Sequence, residues 1–312
     1  MIRTENLTKH YGEKRALIDL SFEVGTGEII GLVGKNGAGK STALKILSTQ
    51  MLPSSGQVWV DGVSVTASPQ AVRARLGFLP ETAPLYPEMT VAAYLDFVGR
   101  LRQIPADRIR ERVEAVAEDT GLSSVLKERL GGLSRGYQQR VGIAQAMIHR
   151  PPVILLDEPM AGLDPLQIVQ IRDVIQAMRG KHTVIFSSHI LSEITHVCDR
   201  VVLIDQGSVR AEGSEEDLRR TLSPWRRLKL LVRGSDPDVR AALEKIKGVR
   251  ILTLDAMGEA VHHVALALEQ DSREQVAKGC SAKGLGLLEM RGEADGLEDL
   301  FLQLVQGKER PA

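Results

Sequence analysis

The sequence predicts an α/β protein with a mainly parallel sheet, followed by a small α+β domain. Two patterns carry that expectation. From Glu28 to Asp205, short apolar runs alternate with helical stretches, the order in which a chain lays down parallel strands with helical crossovers. Beyond Arg227 the order becomes strand, helix, strand, strand, helix, strand, which suits a ferredoxin-like sandwich. The length of 312 residues agrees with two domains at about 150 residues each. With 43% hydrophobic and 26% charged residues the chain can bury a large core, which excludes disorder, collagen and a disulfide-built miniprotein.

Taken in order, the expected strands of the first domain, residues 1–222, are Glu28–Val33, Leu76–Leu79, Val153–Leu156, Thr183–Phe186 and Arg200–Asp205. Residues 83–150 read as a helical insertion, with Thr90 as the cap before Val91–Leu101 and a helix over Arg108–Thr120. Gln206-Gly207 makes a turn, Glu215–Arg220 a charged helix, and Ser223-Pro224 a domain boundary. The second domain, residues 225–312, reads as strand Arg227–Arg233, a helix opened by Asp236-Pro237, and strands Val249–Asp255 and Ala260–Ala267. A helix opened by Asp271, strand Leu285–Met290 and a closing helix Leu297–Val305 complete it.

Forty Lys and Arg balance forty Asp and Glu, so the whole molecule lacks the basic footprint that dominates nucleic-acid affinity, and no nucleic-acid partner is expected. Apolar runs such as Val153–Leu156 fall far short of the roughly 20 residues that cross a bilayer. The N-terminus has no apolar core or cleavage site of a secretory signal, so a cytoplasmic location is expected. Cys198 and Cys280 stand alone, without the spacing of a disulfide framework or a zinc site. His262 and His263 are neighbours on an expected strand and so point to opposite faces.

The strongest local signal is Gly34-Lys-Asn-Gly-Ala-Gly39-Lys40-Ser41, which fits G-x-x-x-x-G-K-[ST] between a strand and a helix. Such a loop wraps its N–H groups around phosphate oxygens at the positive end of the following helix. Lys40 supplies a charge for the β and γ phosphates, and Ser41 a hydroxyl oxygen for Mg²⁺. The second signal is Val153-Ile-Leu-Leu-Asp157-Glu158-Pro159. Carboxylates that end a buried strand are costly unless a cation meets them, and the C-terminal strand ends are where α/β sheets bind ligands. Asp157 is expected to hold Mg²⁺ through water, and Glu158 to orient or deprotonate the attacking water.

With three further segments, residues 1–220 resemble the nucleotide-binding subunit of an ABC transporter. Leu133-Ser134-Arg135-Gly136-Tyr137-Gln138-Gln139-Arg140 resembles the family signature, Ala161-Gly162-Leu163-Asp164 its D-loop, and Ser187-Ser188-His189 its switch histidine. The resemblance implies a nucleotide site at Tyr11, whose ring would face adenine, and at Gly34, Asn36, Gly37, Ala38, Gly39, Lys40, Ser41 and Thr42. It implies catalytic roles for Lys40, Glu158 and His189, with ATP and Mg²⁺ as cofactors. Ser134, Gly136 and Asp164 would reach the partner's site in a head-to-tail homodimer, or in a dimer with a related ATPase subunit. Three positions in two motifs depart from the family: Arg135 and Tyr137 stand where Gly and Gln are usual, and Glu81, in Phe78-Leu79-Pro80-Glu81, replaces a Gln near the metal. Glu81 keeps an oxygen for the metal but adds a negative charge beside phosphates.

The finer resemblance is to the export-type branch associated with gliding motility, drug or antibiotic efflux and copper-enzyme maturation. It implies an ATP-hydrolysing subunit at the inner face of the membrane, paired with a separate permease that docks on the helical insertion near Glu81. The alternative is a soluble ABC-type ATPase acting on ribosomes or DNA. Those relatives usually carry two phosphate loops or a long coiled coil, and this chain has one loop and only 117 positions from Lys40 to Asp157. The second domain, which shows no cluster resembling a catalytic centre, is expected to regulate or to stabilise the dimer.

Overall fold

The computed structural model describes residues 2–222, 226–258 and 260–293, with backbone alone for 192, 219–222, 226 and 293. It falls into two compact units, Met1–Glu215 and Glu216–Ala312. The expected Ser223-Pro224 turn and the helix Leu297–Val305 lie outside the described residues.

The first unit opens with a hairpin, β1 (Ile2–Tyr11) and β2 (Lys14–Val24), and then enters β3 (Ile29–Val33) and helix α1 (Lys40–Leu47). Strands β4 (Ser55–Val60) and β5 (Val63–Ser64) return to the hairpin, giving an antiparallel sheet in the order β2-β1-β4-β5. A short helix α2 (Pro69–Ala74) leads to β6 (Leu76–Leu79). The helical insertion follows as α3 (Val91–Leu101), α4 (Ala106–Asp119) and α5 (Arg135–Met147). The chain continues through β7 (Val153–Leu156), α6 (Pro165–Gln176), β8 (Thr183–Ser188), α7 (Leu191–Thr195), β9 (Arg200–Asp205) and β10 (Ser208–Gly213), and α8 (Glu215–Leu222) then begins at the last residue of this unit and falls otherwise in the second. The main sheet runs β10-β9-β3-β8-β7-β6, parallel except at β10.

Strands β3, β7 and β8 are buried along their whole length. Parallel strands covered on both faces take continuous apolar runs, which is why these were readable. Helix α1 turns Ala43, Leu44, Ile46 and Leu47, all with no exposure, into one core with both sheets. Each Leu or Ile so placed contributes about 1.5–3 kcal/mol, which fixes α1 and the loop that precedes it. In the insertion, the Thr90 hydroxyl accepts the Ala93 N–H at 3.2 Å and caps α3. The Gln145 amide of α5 donates to the Phe78 carbonyl at 2.7 Å, tying the insertion to β6.

The second unit contains β11 (Arg226–Arg233), α9 (Asp236–Leu243), β12 (Val249–Gly258), β13 (Val261–Leu268), α10 (Arg273–Ala282) and β14 (Gly286–Glu293). Its antiparallel sheet has the order β12-β13-β11-β14, the ferredoxin-like arrangement, over its own core of Leu228, Leu230, Val264, Leu266, Val276 and Cys280. His262 is buried and His263 exposed, as their alternation requires. Helix α10 begins at Arg273 rather than Asp271. The Asp271 carboxylate receives the Arg273 guanidinium at 2.6 and 2.8 Å and makes only a 3.4 Å contact to the Arg273 N–H, so it does not act as a close cap.

Candidate active site

The C-terminal ends of β3, β7 and β8 lie side by side, and each ends in residues that carry chemistry. After β3 the chain turns through residues 34–39 into α1. Gly39 sits at φ +113° just before the helix, and a Cβ there would lie 2.7 Å from the Ala16 carbonyl, so the turn closes only around glycine. The first N–H groups of α1 have no carbonyl partner within the helix, which makes this end an anion site. Lys40 is 5% exposed, and its ammonium donates to the Gly34 carbonyl at 2.7 Å and to that of Lys35 at 3.4 Å.

That ammonium also lies 3.2 Å from Glu158 Oε1, and His189 Nδ1 donates to Glu158 Oε2 at 2.9 Å. Asp157 is 2% exposed and accepts two hydroxyls on Oδ1, from Ser41 at 3.0 Å and from Ser187 at 2.8 Å. Glu158 stands at φ +49°, its N–H bonded to the Ser187 hydroxyl at 2.8 Å. Around these groups is a cleft of about 520 Å³ lined by Tyr11, Asn36, Gly37, Ala38, Gly39, Lys40, Ser41, Thr42, Glu81, Glu158 and His189, among others. Tyr11 is 44% exposed at its rim, with its hydroxyl directed at Met51 Sδ.

The structure thus gathers most of the nucleotide, catalytic and metal residues expected from the sequence. Ser134, Gly136 and Asp164 are not among the residues lining this cleft. They lie where α5 and α6 start: Ser134 precedes α5 with its hydroxyl not engaged in capping, and Asp164 caps α6 by accepting the Gln167 N–H at 2.9 Å. The two helix starts are packed closely. A Cβ on Gly136 would lie 2.7 Å from the Gln167 side chain, and one on Gly162 would lie 2.5 Å from the Arg135 guanidinium. Arg135 therefore lies across the D-loop, while Tyr137 faces its own helix, 4.2 Å under Arg140.

Sequence reasoning missed Lys14 and Ala16 in the cleft lining, and gave no role of their own to Lys35 and Ala161, which also line it, or to buried Ser187, although all three fall within its motifs. Lys14 pairs with Tyr11 across the β1–β2 turn, so a hairpin reading of Tyr11-Gly12-Glu13-Lys14 would have found it. For Ser187 the signal is a hydroxyl pair ending an apolar strand. Ser41 and Asp157 suit Mg²⁺: two hard oxygen-bearing side chains in contact, with Asp157 nearly buried. Among the described residues no group of three or more His, Cys, Asp or Glu could hold a metal. The remaining ligands would therefore be phosphate oxygens and water, the usual surroundings of nucleotide-bound Mg²⁺.

A family model described as "ABC transporter" matches residues 17–161. The linearmycin resistance ATP-binding protein LnrL of Bacillus subtilis is 30% identical over 97% of this chain and 98% of its own length. The chain belongs to the ABC transporter ATP-binding family. A second relative of this ABC subunit, the daunorubicin resistance ATP-binding protein DrrA2 of Streptomyces coeruleorubidus, is 31% identical over 97% of this chain and 94% of its own. Both alignments run through the first unit and into the second. Among solved structures, the dimeric post-hydrolysis ATP-binding cassette MJ0796 bound to ADP and Pi matches with a TM-score of 0.62 and 25% identity, over 69% of this chain and 98% of that one.

Proposed function

We propose that this ABC subunit hydrolyses Mg·ATP in a head-to-tail dimer and powers an exporter. The observation that carries the reading is the meeting of Lys40, Ser41, Glu158 and His189 in one cleft, with buried Asp157 bonded to Ser41. Lys40 and the N–H groups of α1 bind the β and γ phosphates. Ser41 and Asp157 would hold Mg²⁺, which would supply charge neutralisation at the phosphates. Glu158 orients a water toward the γ phosphorus and takes up its proton. His189, fixed by Glu158, stabilises charge on the leaving phosphate.

Ser134, with a hydroxyl left free at the start of α5, would complete the nucleotide site of a second copy; the dimeric MJ0796 cassette supports that arrangement. No helix among the described residues is long and apolar enough to cross a membrane, so in this reading a separate permease supplies the path. Its docking place is the exposed pair of the insertion, Tyr86 packed edge-on to Phe97 and resting on buried Tyr94. The drug-resistance names of LnrL and DrrA2, each matched nearly end to end, support export over action on ribosomes or DNA.

The purified chain should hydrolyse ATP only with Mg²⁺, and Lys40→Ala should lose both binding and turnover. Phe97→Asp should keep hydrolysis while failing to co-purify with a membrane protein that the wild type retains. Turnover surviving in Lys40→Ala would refute the assignment of the site.

A further inference from the structure

We infer that Ser187 is a positioning residue for this hydrolysis: its hydroxyl locks the metal-side carboxylate Asp157 and the water-orienting residue Glu158 into one fixed relation. The inference rests on the hydrolytic reading above. Strand β8 runs apolar through Val184, Ile185 and Phe186 and then ends in two serines, Ser187 with no exposure and Ser188 with 2%. A hydroxyl withdrawn from water needs partners. Strand alternation sends these two to opposite sides. The Ser188 hydroxyl donates to Glu193 Oε2 at 2.7 Å and accepts the Ile190 N–H at 3.0 Å, which shapes the turn carrying His189.

The Ser187 hydroxyl turns the other way. It donates its one hydrogen to Asp157 Oδ1 and accepts the Glu158 N–H, both at 2.8 Å. Glu158 holds a left-handed φ of +49°, an uncommon and mildly costly conformation for a residue other than glycine. Here the backbone bonds that hold it are the Ser187 contact, the Ala161 N–H to the Glu158 carbonyl at 3.1 Å and, one residue earlier, the Asp157 N–H to the Leu79 carbonyl at 2.8 Å. Without the hydroxyl, the Glu158 N–H loses its acceptor and Asp157 Oδ1 keeps only Ser41. The turn is then free to relax toward an ordinary φ, carrying the Glu158 carboxylate away from His189 Nδ1. A displacement of about 1 Å at a reacting group can cost 100-fold in rate. The phosphate loop keeps its anchors at Gly34 and Lys35, so nucleotide binding without metal is retained, and because the Glu158 carboxylate also pairs with Lys40 at 3.2 Å its displacement tightens that binding if it changes it at all.

The test uses the full chain with Ser187→Ala, Ser187→Thr and Ser187→Cys, measuring turnover, binding of a fluorescent ATP analogue with and without Mg²⁺, and Tm. Ser187→Ala should lower kcat 10- to 100-fold while metal-free affinity is kept or tightened, by no more than about tenfold. Ser187→Thr, which restores a hydroxyl, should recover kcat to within about threefold. Ser187→Cys preserves the bulk and offers only a weak donor, so it should fall between, and it carries the test if the alanine variant does not fold. Wild-type turnover in Ser187→Ala or Ser187→Cys overturns the inference. So does an equal loss in all three variants that follows Tm alone. If the wild type binds Mg·ATP without hydrolysing it, the functional reading fails by itself. Ser187 is then judged on binding, where Ser187→Ala should lose the affinity gained with Mg²⁺ and an unchanged gain overturns the proposal.

Discussion

Glu158→Gln should bind ATP more tightly than the wild type while losing turnover, and the Lys40 ion pair sets the size of the effect. The Glu158 carboxylate and the Lys40 ammonium are 3.2 Å apart, with side chains 10% and 5% exposed. At an effective dielectric of about 20, that separation corresponds to roughly 5 kcal/mol of gross attraction. Desolvation of both ions offsets much of it. A γ phosphate competes with Glu158 for Lys40 and is also repelled by the carboxylate. An amide at 158 removes both effects and can still accept from His189. Because Lys40 keeps its carbonyl contacts either way, we expect about 1–1.5 kcal/mol of the gross term in binding, which is close to a tenfold lower Kd.

Calorimetric titration with Mg·ATP at two salt concentrations measures this directly. A pair this buried is weakly screened, so the gain should change little between low and physiological salt. Glu81→Gln is the control. Glu81 lines the same cleft from an exposed position, and no ion pair joins it to Lys40, so its effect should stay under threefold and shrink with salt. Turnover of Glu158→Gln should fall at least 100-fold. Unchanged affinity in Glu158→Gln would refute the competition argument, and retained turnover would remove Glu158 from the chemistry.

Two other outcomes follow from the fold. His149 has its pKa lowered to about 4, first by burial and then by Arg102, while its Nε2 donates to the Leu76 carbonyl. The unfolded chain therefore binds more protons below about pH 6.5, and the stability that neutral His149 contributes is lost as pH falls from there toward 4. Urea unfolding should show His149→Gln losing less stability than wild type between pH 7 and 5, by roughly 1–2 kcal/mol, and parallel losses would contradict the linkage. Truncation after Thr221 should leave ATP binding intact and shift the protein without nucleotide toward monomer. Identical sedimentation of full-length and truncated chains would exclude a dimer-stabilising role for the second unit.

The parts of the fold that were legible are those whose burial is simple. Strands β3, β7 and β8 lie between covered faces, so their residues are uniformly apolar and short runs betray them. The hairpin β1–β2 was missed because only one set of its residues is buried. Register shifts at Thr4/Leu7 and Lys9/His10 also break the strict alternation that would have marked β1 as a strand. The same holds for β10, where half-buried Val209 and Ala211 flank an exposed Arg210 and a register shift interrupts the pairing. In the second unit each turn carries its own signal. Ser235 caps α9 by accepting the Asp238 N–H, and Pro237 follows in the first turn, so the element order could be read through to β14.

The site was legible where a residue's chemistry is unusual in its place, and hidden where it depends on register. Asp157 and Glu158 announce themselves because acids end a buried strand. Ser187 does not, since serine after an apolar run is also an ordinary strand end. Its role comes from pairing: Leu156 stands opposite Phe186 in the parallel β7–β8 ladder, and Val33 stands opposite Ser188 in β3–β8. The next residues along each strand therefore arrive together, Asp157 level with Ser187 and Gly34 just beyond the same line. A slip of one residue in β8 would turn Ser187 to the face that Ser188 now occupies and put an apolar side chain against Asp157. Uniform burial of Val153–Leu156 and Val184–Phe186 opposes such a slip only weakly, because apolar residues fill both faces. The hydroxyl bonds of Ser187 and Ser188, each satisfied on its own side, are what make the register specific at the point where the chemistry needs it.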